Sequence, residues 1–221
     1  LTFLFYFLPL FFAVYYIVPF RFKNAALVLG SAAFYFLGAS VRDCLLLLAS
    51  VLFHYALARG MEGRAQGARK ALLLFGLCAD LFGLVYFKYA AFLLENLGRL
   101  VGREFTLVHL ALPLGISFYL FQSAGYLIDV YRGGQAERNL IDFTAFVLAF
   151  PQLTMGPILR YDEWRGALKE RTIARGDVFL GFERFVAGLC FKVLLADQLA
   201  PLWASLERIG YGYLSAPLAW L

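Results

Sequence analysis

Tyr119, Gln122, Tyr126 and Asp129 stand at i, i+3, i+7 and i+10 in an otherwise apolar stretch, a spacing that places all four on one face of a helix. Phenol, amide and carboxylate groups on such a face can line a path for a polar substrate. A carboxylate among apolar neighbours needs a partner, and Arg132, three residues further on, is the one the spacing offers Asp129. A second stretch, "FPQLTMGPI" at 150–158, carries Pro151, Gly156 and Pro157, which break a helix, and Gln152, whose amide can bond freed backbone groups. The candidates for a substrate path are these nine: Tyr119, Gln122, Tyr126, Asp129, Arg132, Pro151, Gln152, Gly156 and Pro157. A stripe of this kind can equally serve only to hold helices together.

Other reactive residues point to less. Of the two histidines, His54 lies in the apolar run "SVLFHYALA" and His109 just before Pro113; packing or an interfacial position suits both better than catalysis. Asp80 and Lys88 are about 12 Å apart along a helix, too far to pair, so each needs its own partner or an interface, and Lys88 can snorkel beside Tyr86 and Tyr89. Lys192 and Asp197, five positions apart, do not meet on an ideal helix. Cys44, Cys78 and Cys190 read as small buried hydrophobes, and their spacing supports neither a disulfide framework nor a metal site. Nucleophile-elbow, zinc-protease and phosphate-loop patterns are all missing, so no residue is assigned a catalytic role.

The elements that must position these residues are apolar helices. Of 221 residues 62% are hydrophobic and 16% charged, with a mean hydropathy of +0.73, which excludes an ordinary water-soluble domain. The fold class expected is all-α: one polytopic transmembrane domain over 1–221 with bent and re-entrant segments, cut at both ends, in contact with membrane lipid. Apolar segments fall at 1–20, 24–41, 43–58, 71–94, 112–131, 140–158, 178–200 and from 211 onward. The net charge of +5 comes from cations in the connections, which argues for membrane orientation and against nucleic acid. Cation-rich connections at 21–23, 59–70 and 132–138 read as cytoplasmic, whereas 42–43 and 95–109 are neutral and read as outside. Residues 160–177 are again rich in cations, so 140–158 is expected to enter from the cytoplasm, turn near Pro151–Pro157 and return. Gln152, Thr154 and the 119–129 stripe would satisfy the freed backbone groups, and Trp164 would dip into the membrane interface. From these residues alone, a transporter and an intramembrane enzyme remain equally open.

"LPLGISFYLFQSAGYLIDVYRG" (112–133) closely resembles a signature of the membrane-bound O-acyltransferases. "FPQLTMGPILRY" (150–161) resembles the family's broken intramembrane segment, and "KVLLADQLAPLW" (192–203) its following helix; the start, "LTFLFYFLPLFFAVYYIVP", is similar to the bacterial branch that O-acetylates alginate. The resemblance implies a multi-pass enzyme of the bacterial inner membrane that moves an acyl group from a cytoplasmic thioester, such as acetyl-CoA or an acyl carrier, to a hydroxyl of an extracytoplasmic polysaccharide. It implies no bound cofactor, and it implies extracytoplasmic polysaccharide-modifying proteins as partners, for which the connection 95–111 is a docking candidate. The family's catalytic histidine is expected beyond these 221 residues, so neither His54 nor His109 inherits that role. D-alanyl transfer to teichoic acid, or a non-enzymatic transporter or scaffold, is the alternative.

Overall fold

The computed structural model describes residues 2–102, 111–153, 156–171 and 175–209, and every regular element among them is helical. Residues 1–170 and 171–221 form two separate units.

In the first unit a π turn at Phe3–Phe7 leads into α1 (Leu8–Ile17), which stops at Val18 because Pro19 holds that residue extended. A 3₁₀ turn at Phe20–Phe22 precedes α2 (Lys23–Gly38). The helix α3 (Val41–Met61) begins on a capping box, in which Ser40 Oγ accepts from the Asp43 N–H at 3.2 Å and Asp43 accepts from the Ser40 N–H at 3.3 Å. The next helix, α4 (Gln66–Leu84), runs through a π turn at Val85–Tyr89 into α5 (Ala90–Val101). Together they make 36 residues, about 54 Å at 1.5 Å per residue. Residues 95–101, expected in a connection, are instead the last turns of this helix, which ends on Gly102 in the left-handed region at φ +68°.

After Gly115 comes α6 (Ile116–Tyr131), then α7 (Leu140–Leu148), capped by Asn139 Oδ1 on the Ile141 N–H. Ala149 breaks the helix before the single turn α8 (Phe150–Leu153), since Pro151 has no N–H for the Val147 carbonyl and its ring crowds the residues before it. Residues 156–160, without regular structure, lead to α9 (Tyr161–Lys169), and Arg160 before it is extended. Packing centres on α6, which lies against α3, α4 and α7. Gly76 permits the close approach: a Cβ there would come within 2.6 Å of Leu127 Cδ1 and 3.0 Å of Leu57 Cδ1.

Among the described residues, Val41–Met61 and Gln66–Val101 are long and apolar enough to cross a membrane. Only 33% and 17% of their apolar windows are buried, which separates them from the core helices of a water-soluble fold. Cys78 faces outward among these exposed side chains and Cys44 is half-buried, so neither is the buried hydrophobe expected. Small apolar thiols are as acceptable on such a face as in a core.

Hydrogen bonds gather the connections at two ends of this unit. At one, Asn24 Nδ2 donates to Asp142 Oδ1 at 2.7 Å and to the Leu168 carbonyl at 3.4 Å, and Arg69 Nη2 donates to the Val130 and Tyr131 carbonyls that close α6. At the other, Tyr35 Oη donates to the Leu114 carbonyl and Arg42 Nη2 to that of Ala111, both at 2.7 Å.

The second unit continues from α10 (Arg175–Phe191) through a π turn at Lys192–Ala196 into α11 (Asp197–Ile209). Lys192 Nζ and Asp197 Oδ2 are 2.7 Å apart, contrary to the expectation from an ideal helix. The π turn closes its hydrogen bonds at i→i+5, which aligns positions that a regular helix holds apart. Cys190 is exposed, again unlike the expectation. The apolar run from 211 onward lies outside the described residues.

Candidate functional site

The break at Ala149 separates two groups that a continuous helix would pair, the Phe146 carbonyl and the Phe150 N–H. Each finds a side chain instead. Gln122 Nε2 donates to the Phe146 carbonyl at 2.7 Å, and Ser31 Oγ accepts from the Phe150 N–H at 3.1 Å. Gln122 also donates to Gln152 Oε1 at 3.1 Å, so the two buried amides join α6 to α8. The Gly156 N–H then turns back to the Gln152 carbonyl at 3.2 Å, and a Cβ on Gly156 would run into the backbone of Pro151 and Gln152. Pro151 and Pro157 are exposed and Gly156 is half-buried. Thr154 lies outside the described residues; Ser31, on α2, fills a role that sequence reasoning did not assign to it.

Tyr119, Gln122 and Tyr126 are buried, and Asp129 is half-buried at the end of the same face. Asp129 does not take Arg132 as its partner. Arg132 is exposed, and Asp129 Oδ1 meets Arg160 Nη2 at 3.0 Å, because the chain returning from the break runs past the end of α6. The carboxylate raises the basicity of the exposed Arg160 further. Trp164 likewise turns inward onto the ring of Phe146, at 6.4 Å between centroids, where an interfacial position was expected. The side chain is half-buried there because α9 presents it toward α7.

Beneath this return lies Glu137, which the sequence reading passed over as an ordinary loop charge. Its residue is 4% exposed, yet its carboxylate is surrounded by donors. Oε2 accepts from Tyr161 Oη and, at 2.8 Å, from Lys169 Nζ; Oε1 accepts from the backbone N–H groups of Arg138 and Asn139 at 2.9 and 3.0 Å. The Glu137 N–H in turn donates to Tyr126 Oη at 2.8 Å, tying the stripe to the cluster. Burial alone would push this carboxyl up, but the bonds from Lys169, Tyr161 and Asn139 outweigh it and bring it down to about 2. Burial, reinforced by the Glu137 carboxylate, pushes the Tyr161 phenol well above its ordinary range, so it remains a donor.

A second buried cluster joins α3 to α4. His54 is fully buried, with Nε2 2.9 Å from Asp80 Oδ1 and Nδ1 2.7 Å from the Ser50 carbonyl. Asp80 thus has its own partner, 26 positions away, where no helical spacing signals it. The tautomer with a proton on Nδ1 lets it donate to the Ser50 carbonyl, and Ser50 Oγ lies 3.3 Å from the same nitrogen. Both ring nitrogens of His54 are thus engaged in hydrogen bonds within the helix pair. His109 lies outside the described residues, while Lys88 sits 5.5 Å over the Tyr89 ring.

Comparison with known proteins follows about nine-tenths of the chain. It is 43% identical over 215 residues to the probable alginate O-acetylase of Azotobacter vinelandii, covering 91% of this chain and 42% of that protein. Identity to the probable alginate O-acetylase of Pseudomonas aeruginosa is 42% over 210 residues, 91% of this chain and 40% of the relative. The peptidoglycan O-acetyltransferase of Helicobacter pylori is 33% identical over 232 residues, 90% of this chain and 44% of the relative. The chain therefore spans about two fifths of the length of the curated relatives it matches. No family model and no solved structure matches it.

Proposed function

We propose, from a chain whose sequence belongs to the alginate O-acetylation branch of the membrane-bound O-acyltransferases, that the whole protein transfers acetyl groups from a cytoplasmic thioester donor towards hydroxyls of an extracytoplasmic polysaccharide. The observation that carries this reading is the identity of 40–43% to five probable alginate O-acetylases over nine-tenths of the chain. Acetyl-CoA is the donor this chemistry suggests, and an alginate-like polymer is favoured over peptidoglycan by 43% against 33% identity. Activating the acceptor hydroxyl needs a positioned base, and His54, with both ring nitrogens hydrogen-bonded, is not proposed for that role. Deleting the gene should abolish O-acetylation of the exopolysaccharide, measured by acetate release from the purified polymer, and the whole gene supplied in trans should restore it. Unchanged acetate content in the deletion strain would refute the reading.

The same reading makes this a multi-pass protein of the inner membrane, with 21–24, 59–70, 132–142 and 160–170 on the cytoplasmic side and 40–43 and 111–115 outside. Support comes from the bonds Asn24–Asp142, Asn24–Leu168, Lys169–Glu137 and Arg160–Asp129, which join the segments on both sides of the break to the same connections. Residues 140–158 are then re-entrant. Single cysteines at Glu163 and Glu170, with Cys44, Cys78 and Cys190 replaced, should resist a membrane-impermeant thiol reagent until the membrane is opened. Strong labelling of both from outside intact cells would rule out the re-entrant path. Extracytoplasmic polysaccharide-modifying proteins would complete the transfer, docking near the end of α5.

A further inference from the structure

The connection between α6 and α7 and the facing side of α9 enclose a cleft of about 410 Å³, a size suited to part of a small molecule. Two acids and three cations line it. Both acids are already taken: Glu62 pairs with Arg59, and Glu137 is held by Lys169, Tyr161 and two backbone N–H groups. That leaves Arg138 and Arg165 as excess positive charge. Among the described residues neither has a carboxylate partner, and Arg165 Nη2 donates to the neutral amide oxygen of Gln135 at 3.3 Å.

The backbone carrying Arg138 is held on both sides, its N–H by Glu137 Oε1 at 2.9 Å and its carbonyl by Tyr55 Oη at 2.6 Å. An exposed guanidinium thus projects from a fixed anchor. Arg165 and Lys169 are four residues apart and share one face of α9. Guanidinium groups match the geometry and charge of phosphate oxygens, and two that line one concave site whose acids are already paired form a site for an anion.

We propose that this cleft holds the phosphate-bearing end of the acyl donor, with Arg138 and Arg165 as its anchors. The proposal rests on the acyl-transfer reading: a cytoplasmic thioester such as acetyl-CoA carries its phosphates at the end opposite the acyl group, and the cleft lies at the end of the fold where the cation-rich connections meet. Anionic lipid headgroups present the same phosphate chemistry, so the test separates the two sources.

The whole protein is placed in nanodiscs of phosphatidylcholine alone and titrated with coenzyme A, and with pantetheine as the phosphate-free probe. Coenzyme A should bind the R138Q/R165Q variant at least roughly ten-fold more weakly than the unaltered protein, with R138K/R165K between them. Pantetheine should bind all three alike, and equal melting temperatures would show that the variants are folded. Equal affinity for coenzyme A in all three, or no binding to the unaltered protein, would overturn the proposal. So would a loss confined to stabilisation by phosphatidylglycerol, which would make the cleft a lipid site. O-acetylation measured in cells keeps the two ideas apart: persistent acetylation by R138Q/R165Q together with unchanged coenzyme A binding removes this cleft and leaves acyl transfer standing.

Discussion

Replacing Gly115 by alanine should destabilise the protein by on the order of 3 kcal/mol or more and, under the proposed function, remove O-acetylation in cells. Gly115 starts α6 in the left-handed region at φ +70°, which alone costs an alanine roughly 1 kcal/mol. The larger effect is steric: its Cβ would run into the carbonyl oxygen of Leu153. Leu153 ends α8 and cannot retreat freely, because Ser31 and Gln122 pin both sides of the break before it. Gly102, at φ +68° with nothing within 4 Å of its Cβ position, supplies the control. Gly102→Ala should lower the melting temperature of the purified whole protein slightly and leave acetylation intact. Equal small losses at both positions would show that the Leu153 contact is unimportant.

Glu137→Leu is expected to cost about 3–5 kcal/mol, since it strands Tyr161 Oη, Lys169 Nζ and two N–H groups without their acceptor. The carboxyl is lowered from 4.5 to about 2 in the fold, and so stabilises it. That contribution, about 3 kcal/mol, is fully present above pH ~4.5 and is lost as the pH falls through about 2. Glu137→Gln keeps the shape and one acceptor oxygen but cannot ionise. Melting curves between about pH 5 and pH 2 should therefore fall more steeply for the unaltered protein than for E137Q. Parallel curves would mean that Glu137 carries no such linkage.

What the sequence showed of this fold was local. The face carrying Tyr119, Gln122 and Tyr126 follows from one helical period, and the break near Pro151 from the chemistry of a single ring. Glu137 was hidden because its partners sit at 161 and 169, beyond a reversal of the chain that no spacing encodes. Asp129 misled for the same reason: Arg132 is near in sequence, but Arg160 is what the returning chain delivers. Lys192 and Asp197 failed differently, through a π turn that changes the period itself. Ser31 and His54 were each visible as polar residues in apolar helices, yet their partners lie 119 and 26 positions away.

The contact between His54 and Asp80 has a mechanical consequence. Both side chains are buried, they stand on different helices, and Nε2 and Oδ1 meet at 2.9 Å. Sliding or rotating α3 against α4 would strand both groups among apolar neighbours, at about 1–3 kcal/mol for each polar group left without its partner. Apolar contacts carry no such directional preference. The α3–α4 hairpin is therefore held in register by a single polar contact inside an otherwise non-directional seam.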